Sequence, residues 1–112
     1  MAKAKKQIRV IYKRVGFDPV EVTIDNELDT MQRMVGGYIE TLTLPGINTV
    51  LLFDEDGKLD DRAKNFDLPW NNYIAGAAVF AGIDGEDFAD CPISEAELRE
   101  IWPALWEEDA RC

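Results

Sequence analysis

The chain has 112 residues, 46% hydrophobic and 30% charged, which suits one domain with its own core and argues against wholesale disorder. Twelve basic residues stand against 22 acidic ones for a formal charge of −10, and six of the basic ones (Lys3, Lys5, Lys6, Arg9, Lys13, Arg14) fall in the first 14 positions. The rest of the chain therefore holds six basic and 22 acidic residues, a field that repels a phosphate backbone and argues against direct nucleic-acid binding.

Residues 7–13 alternate, with Ile8, Val10 and Tyr12 against Arg9, Ile11 and Lys13, which predicts a half-buried strand. Residues 1–6 before it read as a basic, solvated tail, and 7–112 as a single domain. Gly16 and Pro19 in VGFDP break the alternation. Val20, Val22 and Ile24 resume it against Glu21, Thr23 and Asp25, so the two strands predict a hairpin. Asn26 is placed to cap a following helix, with Glu27 and Asp29 near the positive end of its dipole. Leu28, Met31 and Val35 then recur at helical spacing and form one apolar face.

Gly36 and Gly37 come next. A left-handed glycine there stops the helix, and a second one admits a strand over residues 38–44. Phosphate-binding loops have the opposite order, with glycines after a strand and before a helix, so that free N–H groups at the positive pole meet the anion. Here the pair lies at the negative pole. Its first reading is structural, and the second is that it lets a ligand or partner approach the backbone.

LPGIN makes another turn, and residues 49–53 form a continuous apolar strand in the middle of a sheet. Residues 58–72 read as a polar, irregular connection containing Pro69, with Phe66, Leu68 and Trp70 to pin it down. Residues 74–82 read as a last strand, followed by the acidic loop DGEDFADCP. Ser94 and Glu97 form a capping box for a terminal helix. Leu98, Ile101, Trp102, Leu105 and Trp106 keep helical spacing across Pro103, where that helix must kink or restart. The predicted class is α+β: a small mixed sheet of about five strands, one helix after the first hairpin in β-grasp or ubiquitin-like order, and a C-terminal helix.

Histidine is absent, which removes the commonest general base, the usual partner of a Ser or Cys nucleophile and the commonest zinc ligand. Cys91 and Cys112 make neither a C-x-x-C pair nor a disulfide framework, so a reducing, cytoplasmic setting is expected. Residues 8–12 offer no continuous apolar core for a signal peptide. The apolar run 73–83 is far shorter than the roughly 20 residues that cross a bilayer. Carboxylates remain. In DEDGKLDD, setting Gly57 at the invariant glycine of a calcium loop puts Leu52 first and Ala63 last, where acids are required, and the match fails. Asp84, Glu86, Asp87 and Asp90 also lack a ligand spacing. No metal, no cofactor and no catalytic constellation are expected.

Three stretches together, MVGGYIETLTL, VLLFDEDGKLDD and IAGAAVFAGIDGEDF, resemble the family described as domain of unknown function 3846. In that family a helix leads into V-G-G-x-I-E, a hydrophobic strand into an acidic E-G-K-L turn, and a late strand into a G-x-D-G-E-D-like loop. Val35, Gly36, Gly37, Ile39 and Glu40 match the first motif, Gly57, Lys58 and Leu59 the second, and residues 82–88 the third. After the second motif, members commonly carry a G-L-P-x-N-R-like stretch, whereas this chain has DDRAKNF. The resemblance implies small accessory products of phages, plasmids and integrative elements, without an established activity.

The leading expectation is thus a small, acidic, cytoplasmic, non-enzymatic accessory protein that binds a host protein or itself. Trp102 and Trp106 are its interface candidates, against the alternative that both pack on the sheet. A sharper variant is a DNA mimic of a host DNA-processing or defence protein, built on the ten acids from Asp84 to Asp109. The other class is a nucleotide-like ligand binder using Gly36, Gly37, Arg62 and Lys64, with Glu40 as a further signature residue. A carboxylate- and metal-dependent enzyme ranks last.

Overall fold

The computed structural model describes residues 6–69 and 71–106. Lys3, Lys5, Trp70, Cys112 and the acids after Trp106 lie outside the described residues. Strand β1 (Gln7–Lys13) pairs antiparallel with β2 (Val20–Asp25), Gln7 opposite Asp25 and Tyr12 opposite Val20, as the two alternating runs predict. Helix α1 (Leu28–Val35) buries Met31 and Val35 and ends on Gly36 in the left-handed region, at φ 87°. Asn26 does not cap it. The N-cap is Glu27, without a side-chain bond, and the Asn26 amide instead donates to the Phe88 carbonyl at 3.0 Å. The asparagine ties the helix entry to a distant strand, a contact that only the folded chain supplies.

Strand β3 (Ile39–Leu44) pairs antiparallel with β4 (Thr49–Asp54). Next come β5 (Lys64–Leu68) and β6 (Asn72–Ala75), a separate hairpin formed where the sequence suggests an irregular connection. The run expected as one last strand divides between β6 and β7 (Ala78–Asp84), and the acidic loop holds a short β8 (Asp87–Ala89) paired with β7. Helix α2 (Glu95–Ile101) starts on the predicted capping box, and the chain restarts as a 3-10 turn, Pro103–Leu105.

The main sheet runs β2-β1-β7-β4-β3, with β8 on β7. It has the expected helix after the first hairpin and the late strand at its centre, but it is wholly antiparallel. β7 opposes both neighbours, where a β-grasp sets its late strand parallel to the first. The cause is the β5–β6 hairpin. It returns the chain to the end of the sheet it left, so that Phe53 and Lys13 both face Ala78.

Each face of the sheet has its own core. On one, α1 sets Met31 and Val35 against Ile8, Val10, Val50, Leu52 and Val79. On the other, Phe66 and Ile74 of the hairpin join Leu98, Leu105 and Trp106 over Ile11, Leu51 and Phe80. Residues 78–81 of β7 are fully buried, which explains their unbroken apolar run: a strand covered on both faces has no solvent side. Each large aliphatic or aromatic side chain so buried contributes about 1.5–3 kcal/mol. Asn65 fastens the hairpin to the sheet, its amide donating to the Lys13 and Gly76 carbonyls at 2.9 Å each.

Candidate functional site

The glycine pair is filled from within the protein. The N–H groups of Gly36 and Gly37 both donate to the Gln32 carbonyl, at 2.8 and 3.1 Å, which stops the helix. The Gly36 carbonyl accepts from Arg62 Nη2 at 2.6 Å, and Arg62 Nε donates to Asp54 Oδ2 at 2.7 Å. Asp54 Oδ1 accepts from the Asp56 amide at 3.0 Å, and the Asp54 side chain is only 2% exposed. A Cβ on Gly37 would lie 2.7 Å from Asp54 Oδ1, so glycine is what allows the carboxylate to close on the backbone. An Arg–Asp pair therefore braces the end of α1 against the end of β4.

The turn after β4 delivers the arginine. The Gly57 N–H donates to the Asp54 carbonyl at 3.1 Å, and the Arg62 N–H to the Gly57 carbonyl at 3.0 Å. Gly36, Gly37 and Arg62 are thus brought together, and Lys64 is not. It pairs at 2.7 Å with Asp67, three residues along its own strand.

Glu40 lies elsewhere, exposed on β3. The Glu55 N–H donates to the Tyr38 carbonyl at 2.9 Å, which makes Tyr38 and Glu55 a hydrogen-bonded pair. By the antiparallel alternation Glu40, Leu42 and Leu44 then bond to β4, while the N–H and C=O groups of Ile39, Thr41 and Thr43 point away from it. Among the described residues no strand takes up that outer edge.

Beneath the edge, on the face opposite α1, lie two adjoining clefts that share Leu42 and Leu68. One, of about 520 Å³, is lined by Glu40, Phe53, Glu55, Lys58 and Tyr73. The other, of about 770 Å³, is lined by Leu44, Pro45, Ile47, Ile101 and Trp102. Together they form a trough that is acidic at the Glu40 end and apolar at the Pro45 end. Its lysine is engaged: Lys58 bonds Asn72 Oδ1 and sits 4.5 Å from the centre of the Tyr73 ring.

Both tryptophans pack on the core of the hairpin side of the sheet. Trp106 is buried, with the Arg99 guanidinium 5.6 Å from its ring centre. Trp102 is half-buried, edge-on to Phe66 at 5.3 Å and to Phe80 at 6.1 Å, and it also lines the trough. Sequence reasoning named Leu68 only as an anchor of an irregular connection and missed the hairpin wall it stands on. The alternation of Phe66 and Leu68 with Asn65 and Asp67 is the signal that reveals it, cut short by Pro69.

Among the described residues no group of three or more His, Cys, Asp or Glu side chains is placed to hold a metal ion. No helix there is long and apolar enough to cross a membrane. Cys91 is buried, and desolvation pushes its thiol pKa up, so the thiol is held in its protonated, unreactive form.

What the structure defines is a small antiparallel α+β fold, braced by an internal Arg–Asp pair, in which β3 is an edge strand with no strand on its outer side among the described residues. The family model described as domain of unknown function (DUF3846) matches residues 8–102, and the chain belongs to that family. No curated protein and no solved structure matches it significantly. The first two sequence motifs meet at the Asp54–Arg62 pair, and the third forms the β7–β8 turn. DDRAKNF, where the resemblance departs, supplies the arginine of that pair.

Proposed function

We propose that this is a non-enzymatic accessory protein of phage or mobile-element type, cytoplasmic in a host bacterium, that acts by binding another protein along β3. One observation carries the reading: the outward-facing backbone of Ile39, Thr41 and Thr43 lies beside an apolar trough. Exposed sheet edges are usually blunted by charged side chains, proline or a bulge, and IETLTL has no lysine and no proline, with Glu40 as its one charge. An apolar surface beside an open edge fits a partner-binding site.

The nucleotide-like alternative has less support, because the N–H groups of Gly36 and Gly37 are committed to Gln32 and the Arg62 guanidinium to Asp54 and Gly36. The DNA-mimic variant concerns which partner binds, and it predicts binding that weakens steeply with salt.

The test places a photo-crosslinking residue at Thr43, or at Thr23 on the opposite edge of the sheet, in the producing cells. A single host protein crosslinked from position 43, absent from position 23 and lost with Ile101→Glu, is the expected result. Ile101 is 54% exposed and lines the trough, so the variant alters the surface and spares the core. Equal crosslinking from both positions, or indifference to Ile101→Glu, refutes the proposal.

A further inference from the structure

The trough also has a chemistry that selects its occupant, and this inference rests on the reading just given. We infer that the occupant is an extended segment of a partner protein that adds to β3 as a further strand. It carries Lys or Arg at the Glu40 end and apolar side chains at alternate positions toward Pro45. Three residues of β3 turn their backbone groups outward, enough to register a strand of about six residues, roughly 20 Å long. Successive side chains of an added strand face opposite sides of the sheet, so every second one enters the trough. Along the trough these meet first the polar lining at Glu40 and Glu55, then Leu42 and Leu68, then Leu44, Ile47 and Trp102.

Charge sets the polarity. Among the described residues neither Glu40 nor Glu55 has an ion-pair partner, while Lys64 is paired with Asp67 and Lys58 is held by Asn72 and Tyr73. Lys58 lines the same cleft and keeps its charge, since Asn72 and Tyr73 are neutral, so an incoming cation meets two carboxylates against one lysine. The same field disfavours a second copy of this chain. Pairing β3 with β3 would bring two molecules of formal charge −10 edge to edge, and β3 itself contributes Glu40 with no cation to answer it.

The experiment titrates the full chain with capped ten-residue synthetic peptides of alternating Val or Leu and Thr. They carry two arginines at the amino end, two at the carboxyl end, or two glutamates instead. Two variants accompany it. Thr41→Pro with Thr43→Pro removes two outward N–H groups and spares the bonds to β4, and Glu40→Lys reverses the charge at an exposed position.

An arginine peptide is expected to bind at least tenfold tighter than the glutamate peptide at low salt. The double proline variant should lose at least tenfold in affinity, and Glu40→Lys should erase the preference for arginine. Peptides that bind with equal affinity whatever their charge, or binding untouched by the prolines, overturn the inference. If these peptides fail while position 43 still crosslinks a trough-dependent partner, strand addition is wrong and the docking face stands. If peptides bind as expected while position 43 crosslinks nothing in cells, the strand chemistry holds and the cellular role is what fails.

Discussion

Replacing Arg62 with methionine removes the guanidinium from Asp54 and leaves that buried carboxylate with the Asp56 amide as its one remaining donor among the described residues. Breaking a fully buried ion pair from one side costs about 3–5 kcal/mol. The Arg62 side chain is 36% exposed, so solvent screens part of the interaction, and about 2 kcal/mol is the expected loss. For a domain of this size that lowers Tm by roughly 8 °C. Asp54→Ala should cost a similar amount. The double variant should fall short of the sum by at least about 1 kcal/mol, because each change removes the other's partner. Urea denaturation followed by tryptophan fluorescence closes the cycle. A loss below about 0.5 kcal/mol for Arg62→Met, with the two changes additive, would refute the brace and return Arg62 to the pool of cations available to a ligand.

Gly37→Ala should cost about 1–3 kcal/mol by forcing a methyl onto the Asp54 carboxylate, and Asp54→Ala in the same chain should recover much of it; paired melts read both. Ser94→Ala removes the acceptor of the Glu97 amide at 3.1 Å and should lower stability by about 1 kcal/mol, with less helical signal at 222 nm. Burial raises the Tyr12 pKa, with nearby Arg14 pulling it back by less, and the hydroxyl donates to the Met34 carbonyl at 2.7 Å. A raised folded pKa means that this contribution is complete below about pH 10, the unfolded value, and is lost as pH climbs through the folded one. Denaturation from pH 8 to 11.5 should therefore show a shallower alkaline decline for Tyr12→Phe than for the parent. Iodoacetamide at pH 8 should alkylate Cys91 only as fast as the protein opens, and peptide mass mapping against urea concentration tests that.

Where neighbouring residues alone decide, the sequence was sufficient. Alternation is a local property, so the β1–β2 hairpin was legible from it, and the turn LPGIN between residues 38–44 and the continuous apolar run 49–53 marked two further strands. The periodicity of Leu28, Met31 and Val35, the left-handed stop at Gly36 and the Ser94 cap were legible for the same reason. The absence of histidine and the acidic balance bound the chemistry without any coordinates.

Long-range geometry decided the rest. Asn26 has the right side chain and place for a cap, yet its amide is drawn to Phe88, 62 positions away. The single apolar run before Gly82 gives no sign that its first part pairs with β5 and only its second enters the sheet. Nothing local separates Arg62 from Lys64 as a free cation. One closes on Asp54 because Gly37 lacks a Cβ, and the other turns to Asp67. The open edge of β3 depends on which strands the chain places beside it, and the trough on where the β5–β6 hairpin folds back. Pairing and packing across the chain are long-range properties, so only the tertiary structure could decide them.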